Sequence, residues 1–251
     1  MFNFFTSSDS RVNDCYYLSG NDHNHIKNVL RMQVGDTFLV SESGKSNLCQ
    51  ITELTPTSVT AKIIEEDYQS TELPLKIYLF QGLPKSDKME LIIQKTVELG
   101  VYCIVPVEMS RCVVKIEEKK KKNKTDRWQA ISESAAKQSK RNIIPEVHSI
   151  ISFKEALSMA EKLDALLIPY EAENGMKSTR SAMPEILKSE SIAIFIGPEG
   201  GFDPKEIEEA IRHNGKVISL GKRILRTETA AITAVAMCML HSEMYSEGES
   251  I

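Results

Sequence analysis

The sequence has 251 residues, is 41% hydrophobic and 26% charged, and carries a net charge of −4. That size supports one large domain or two ordinary ones with a core that needs neither disulfides nor metal, and the composition excludes a disordered or fibrous chain. The longest apolar runs, Val101–Val107 and Ala234–Leu240, have 7 residues each, against the roughly 20 that a membrane helix needs. No basic-then-apolar leader opens the chain, so a cytoplasmic location is expected.

Thr37–Ser41, Leu48–Leu54 and Ser58–Ile64 alternate in polarity and read as strands. Turns fall at Gly20, Gly35, Ser43-Gly44 and Thr55-Pro56, and a short helix is expected around His23–Leu30. This pattern predicts a small β-barrel module. The polar stretch Glu65–Pro74 reads as the linker, giving domains at 1–70 and 74–251. Beyond it, strands and helices alternate. Leu75–Leu83 is a strand. Asp87–Leu99 is a helix closed by Gly100, and Val101–Val107 is a strand. Thr125–Lys140 is a helix, and Ser152 with Glu155 forms a capping box that opens another. Ala165–Ile168 and Ile192–Ile196 are buried strands. Asp203-Pro204 with Glu206 starts a helix that ends at Asn214-Gly215. Val217–Leu220 is a last strand and Glu228–Glu243 a last helix. Such alternation predicts an α/β domain with a parallel sheet and helices on both faces.

Charge is unevenly placed. Residues Arg111–Arg141 hold 11 Lys/Arg and 4 Asp/Glu, and the rest of the chain holds 20 and 31. A positive segment on an acidic protein suits a local phosphate-binding face, although the run Lys119–Lys122 reads equally well as a solvated loop. The cysteines (Cys15, Cys49, Cys103, Cys112, Cys238) are scattered, with no C-x-x-C pair, so neither zinc nor a disulfide framework is expected.

Two segments carry the candidate chemistry. Ile196-Gly-Pro-Glu-Gly-Gly-Phe202 follows an apolar strand and precedes a capped helix, at the carboxyl end of a strand, where α/β sheets bind ligands. Its glycines let backbone approach a ligand, but it matches neither a Walker A loop nor the dinucleotide fingerprint. Ser219-Leu-Gly-Lys-Arg-Ile-Leu-Arg-Thr-Glu-Thr229 likewise runs from a strand into a helix. Two such loops at adjacent strand ends make one pocket.

Together these segments resemble the SPOUT methyltransferases. With His25-Ile-Lys-Asn-Val-Leu-Arg31, Val34-Gly-Asp36, Gln94–Gly100 and Gln138-Ser-Lys-Arg141, the resemblance narrows to the RsmE family, the 16S ribosomal RNA (uracil-N3)-methyltransferases. It spans nearly the whole chain. It implies a PUA-like RNA-binding barrel followed by a catalytic domain whose C-terminal end forms a trefoil knot. It also implies a homodimer, S-adenosylmethionine as cofactor, and one uridine of the 16S RNA in the small ribosomal subunit as substrate.

On that resemblance, Leu167, Ile168 and Pro169 would touch the cofactor. So would Ile196, Gly197, Pro198, Glu199, Gly200 and Gly201. The third segment would contribute Leu220, Gly221, Ile224, Leu225, Arg226 and Thr227, with Leu220, Ile224 and Leu225 walling the adenine. Lys27, Arg31, Arg111, Lys137, Lys140 and Arg141 would bind RNA. Uridine N3 must lose a proton before it attacks, and Arg226 and Arg141 are the candidates to stabilise the resulting anion. Glu228 or Glu133 is the candidate base, unless arginines and water suffice. His25 reads as structural. Two other readings stay open: a non-enzymatic ribosome-binding protein, and a ribose 2′-O-methyltransferase of the same fold.

Overall fold

The computed structural model describes residues 1–171 and 175–246. The chain divides into two compact units, Met1–Glu72 with Ala136–Ile144, and Leu73–Ala135 with Pro145–Ile251.

The first unit is built on six strands: β1 (Asn3–Thr6), β2 (Arg11–Val12), β3 (Cys15–Ser19), β4 (Thr37–Glu42), β5 (Lys45–Leu54) and β6 (Ser58–Glu65). They hydrogen-bond in the order β1-β4-β5-β6-β3-β2, with β1 parallel to β4 and every other pair antiparallel. Alternation along the strands sends Phe4, Tyr16, Phe38 and Ile51 into one core. Phe4 meets Phe38 edge to face, with ring centroids 5.2 Å apart. The helix expected around His23–Leu30 begins earlier, as α1 (Gly20–Asn24), and widens into a π-turn over His25–Val29. Sequence patterning misses β1, β2 and β3, because each is short and β1 and β3 pair with strands distant in the chain.

Arg141 belongs to this unit. Its guanidinium Nε lies 2.9 Å from both carboxylate oxygens of Glu72, and its Nη2 also donates to Glu72. Glu72 further accepts the backbone N–H groups of Asn142 at 2.7 Å and Ile143 at 3.3 Å. Asn3 donates to the Arg141 carbonyl at 2.8 Å, and Thr71 to that of Lys140 at 2.9 Å. Arg141 is 3% exposed, so this carboxylate anchors the 140–143 segment. Glu72→Gln should destabilise the unit by roughly 3–5 kcal/mol, because it removes a carboxylate that pairs with a buried cation. Faster amide hydrogen exchange at Arg141–Ile143 would show it, and unchanged exchange would refute it.

The second unit holds a sheet in which every pairing is parallel. Its strands are β7 (Lys76–Gly82), β8 (Cys103–Glu108), β9 (Glu146–Val147), β10 (Ile151–Ser152), β11 (Ala165–Pro169), β12 (Ser191–Ile196) and β13 (Lys216–Ile218). The order is β10-β8-β7-β12-β11-β13, with β9 also paired to β8. The helices are α2 (Lys88–Glu98), α3 (Glu118–Ser139), α4 (Phe153–Ala160), α5 (Lys177–Ile186), α6 (Pro204–Arg212) and α7 (Thr227–Ser246); the last residues of α3, from Ala136, count with the first unit. One face of the sheet packs Phe80, Val105, Leu166 and Phe195 under α4 and α6. Phe80 stacks on Phe195 at 4.5 Å, and Phe153 meets Phe195 edge-on. Helix α7 packs against β7, β12 and α2.

Both expected capping boxes are present, Ser152 with Glu155 on α4 and Asp203 with Glu206 on α6. Gly100 closes α2 at φ +92°, a conformation that side chains disfavour. Two elements differ from expectation. The run Lys119–Lys124 is helical rather than a loop, because α3 starts at Glu118. Lysine and glutamate are good helix formers, and Glu117 and Glu118 pair with Lys120 and Lys121 one turn on. Helix α5 is absent from the sequence pattern, since it carries Pro184 inside its span.

Candidate functional site

Strands β11, β12 and β13 are neighbours in the parallel sheet, and the segments that leave their carboxyl ends line one cavity of about 770 Å³. Three short stretches form most of it, Pro169–Glu171, Ile196–Phe202 apart from Gly200, and Ser219–Thr227, with Lys88, Gly175 and Ala230.

The turn after β12 is held tightly. Gly201 donates its N–H to the Pro198 carbonyl at 2.9 Å and sits at φ +67°. Gly82, the last residue of β7, lies beneath Pro198: a Cβ there would fall 2.7 Å from Pro198 Cδ and 2.8 Å from its nitrogen. Thr227, at the start of α7, is buried and donates its hydroxyl to the Gly197 carbonyl at 2.7 Å. It accepts in turn from Gln81 Nε2 at 2.9 Å. This Gln81–Thr227–Gly197 chain ties β7, α7 and the turn together.

The segment after β13 is held from α5. Thr179 donates to the Ser219 carbonyl at 2.6 Å and accepts the Ser219 N–H at 3.0 Å. Gly221 follows at φ +108°, so the chain reverses where a side chain would be strained.

An ion cluster closes the wall. Lys88 Nζ lies 2.9 Å from Glu199 Oε1 and 3.3 Å from Glu228 Oε2. Glu199 also accepts the Lys85 N–H at 3.0 Å. Burial pushes the Glu199 carboxyl up, but hydrogen bonds from Lys88 and the backbone outweigh it and hold the group below its usual value. The bond to Glu199, then that to Glu228, raises Lys88. A lowered carboxylate stabilises above its unfolded pKa and loses this as pH falls through the folded value; a raised ammonium loses it as pH climbs through its own. The Lys88–Glu199 pair is therefore whole at pH values above the carboxylate range and below the ammonium range.

Of the residues expected to hold a cofactor, Pro169, Ile196, Gly197, Pro198, Glu199, Gly201, Leu220, Gly221, Ile224, Leu225, Arg226 and Thr227 line the cavity. Leu167 and Ile168 do not; they are buried within β11, as parallel strands covered on both faces require. Gly200 is outside the lining and packs on Arg111, whose Nη1 donates to its carbonyl at 3.1 Å. The Ile224 side chain is 85% exposed rather than a wall. Phe202, Lys222 and Arg223, which lie within the two candidate segments, also line the cavity, as do Tyr170 and Lys88, which the sequence gives no role there. Tyr170 carries a signal, because it directly follows the expected contact Pro169.

Arg226 is exposed on the cavity and Glu228 is 14% exposed against Lys88. Arg141 is committed to Glu72 in the first unit. The other expected RNA contacts divide. Lys27, Arg31, Lys137 and Lys140 belong to the first unit, and Arg111 to the second. Arg31 and Lys140 are exposed, while Lys27 donates to the Thr55 carbonyl at 3.0 Å. Glu133 lies on α3. Among the described residues no group of three or more His, Cys, Asp or Glu is placed to hold a metal ion, and no helix is long and apolar enough to cross a membrane.

A parallel α/β sheet with two glycine-bearing turns at one cavity, in a chain that also holds a separate β unit, defines a class that comparison makes specific. The family model for the RNA methyltransferase domain matches residues 71–239, and that for the RNA methyltransferase PUA domain matches residues 18–64. The ribosomal RNA small subunit methyltransferase E of Bacillus subtilis (strain 168) is 38% identical, over 91% of each chain. That of Mesomycoplasma hyopneumoniae (strain 232) is 34% identical, over 95% of this chain and 99% of its own. The crystal structure of the enzyme of the same name from Neisseria gonorrhoeae, bound to S-adenosyl methionine, superposes with a TM-score of 0.79 at 34% identity, covering 94% of this chain and 96% of that one. The chain belongs to the RNA methyltransferases and, among them, to the ribosomal RNA small subunit methyltransferase E family. Its first unit contains the PUA-like domain.

Proposed function

We propose that this protein transfers a methyl group from S-adenosylmethionine to N3 of one uridine in the 16S RNA of the small ribosomal subunit. The observation that carries this is the meeting of segments 196–202 and 219–227 at one cavity. Its volume suits a nucleoside-sized ligand, and its glycine backbone and apolar lining suit an adenosine.

S-adenosylmethionine, when bound, supplies an electrophilic methyl group on a sulfonium. The chain's own part is to bind and orient. Main-chain groups of Gly197, Pro198, Gly201, Leu220 and Gly221 would hold the cofactor's polar edges, and Pro169, Leu220 and Leu225 would wall its adenine. Arg226 draws negative charge onto the uracil oxygens, which acidifies N3 and stabilises the anion as it attacks. Glu228, positioned by Lys88, takes the proton or passes it to water. Arg141 acts through the fold of residues 140–143. The first unit binds RNA through Lys27, Arg31, Lys137 and Lys140, with Arg111 adding a contact from the second.

The same reading includes a cytoplasmic homodimer and a C-terminal trefoil knot. Leu240, Met244 and Tyr245 on α7 and Leu91 on α2 are exposed, and apolar residues in that setting favour a second copy. The knot is supported by the return of segment 219–227 onto the turn after β12, an inner strand of the sheet.

Nucleoside mass spectrometry of 16S RNA from a strain lacking the gene, before and after incubation with protein and S-adenosylmethionine, tests the proposal. A new 3-methyluridine is expected. No methyl gain, or a methyl on ribose, would overturn it.

A further inference from the structure

Five cationic side chains stand on or beside the cavity, and they are not equivalent. Lys88 is neutralised by Glu199 and Glu228, and Arg111 is held by the Gly200 carbonyl with Asp203 3.9 Å away. Lys222, Arg223 and Arg226 are exposed on the cavity rim. None of the three has an ion pair or side-chain hydrogen bond among the described residues. Elsewhere in this unit some exposed cations take carboxylate partners, as Arg127 does with Glu90 and Arg212 with Glu208, and others such as Lys154 and Lys205 do not among the described residues; what distinguishes these three is that they share one cavity rim. Three uncompensated positive charges within five residues repel one another, and an anionic partner relieves that.

We infer that Lys222 and Arg223 form a phosphate-binding rim that grips the RNA backbone beside the nucleotide delivered to the cavity, leaving Arg226 for the base. The inference rests on the proposed function. A polyanion suits the rim side chains better than the cofactor, which main-chain groups and apolar residues deeper in the cavity would hold. S-adenosylmethionine carries an ammonium, a sulfonium and only one carboxylate, so it offers three rim cations at most one anionic group. An RNA strand entering the same cavity brings one negative charge per nucleotide. Arginine adds a planar donor fork suited to phosphate. Sequence reasoning placed RNA contacts on the Arg111–Arg141 segment and the first unit. The rim adds contacts at the cavity itself, where the target base must be lifted out and held.

The test uses the full-length Lys222→Gln/Arg223→Gln double variant. Binding to small ribosomal subunits from cells lacking the gene is measured across a salt series, and S-adenosylmethionine affinity by calorimetry. The expected result is at least tenfold weaker subunit binding at low salt and a log–log salt slope shallower by roughly 0.7–0.9 for each phosphate no longer gripped. Cofactor affinity should stay within about twofold, which also reports a folded site. Three outcomes overturn the inference: an unchanged salt slope; a tenfold loss of cofactor affinity with the slope intact, which assigns the pair to the cofactor; or loss of self-association in sedimentation, which assigns it to an interface between copies. Wild-type protein that binds no S-adenosylmethionine would sink the proposed function and the inference with it. Wild-type methylation with an unaltered variant slope would sink the inference alone.

Discussion

Gly82→Val should weaken S-adenosylmethionine binding by about a hundredfold while leaving the fold in place. A side chain at residue 82 begins with a Cβ 2.7 Å from Pro198 Cδ, 2.8 Å from Pro198 N and 2.9 Å from Met109 Sδ. Two of those atoms belong to a proline ring whose carbonyl closes the Pro198–Gly201 turn, so they cannot swing aside as a flexible side chain would. The turn must move, and it is the turn that lines the cavity. Overpacking of this kind costs typically 1–3 kcal/mol, and each 1.4 kcal/mol drawn from binding is tenfold in affinity. Gly197→Val should act on the same turn, since its Cβ meets the Gly201 carbonyl carbon at 3.1 Å and the Phe202 nitrogen at 3.2 Å. Gly221→Val differs in cause. Its Cβ meets nothing within 4 Å, and the penalty comes from φ +108°. Calorimetric titration reads the affinities. Circular dichroism and the fluorescence of the single tryptophan, Trp128, which is 4% exposed, report the fold. Affinities within threefold of wild type for Gly82→Val and Gly197→Val would remove the turn from the site.

Arg226→Ala should slow single-turnover methylation by roughly 100–1,000-fold, the range for losing one preorganised charge stabiliser, with RNA binding little changed. Arg226 is exposed on the cavity and has no ion-pair partner among the described residues, so its charge is available to a bound base. The rate should rise with pH until uracil N3 has lost its proton. Because the guanidinium lowers the pKa of that proton, its removal should move the rise to higher pH. A ribose hydroxyl is far less acidic, and its profile would follow a protein base instead. The complementary check supplies RNA already methylated at N3 of the target uridine, which should accept no further label. A variant with the wild-type pH profile and a rate within threefold would remove Arg226 from the chemistry.

Much of the second unit is readable in the sequence because its signals are local. The Ser152/Glu155 and Asp203/Glu206 capping boxes lie within four residues, and Gly100 follows its helix directly. The two glycine-bearing segments stand out because each joins an apolar strand to a helix. What fails to show is either short or dependent on distant partners. Strand β2 has two residues and pairs only with β3. Helix α5 is obscured by Pro184, yet its Thr179 is what holds Ser219. Arg141, a candidate because of its charge, serves Glu72, 69 residues away.

The sequence alone determined the main alternation of strands and helices in the second unit, α5, β9 and β10 apart, its parallel α/β class, and which two turns bear glycine. These follow from periodicity, capping and backbone freedom, which act over a few residues. The tertiary structure alone decided which side chains reach the cavity and which charges are already neutralised. Ile224, Arg223 and Arg226 are close neighbours in one polar-and-apolar run, and Lys88, Glu199 and Glu228 lie far apart along the chain. Folding leaves the first three exposed and draws the second three into one ion cluster. The reason is that charge compensation depends on distance in space. A carboxylate neutralises the ammonium it touches, and the sequence does not display that separation.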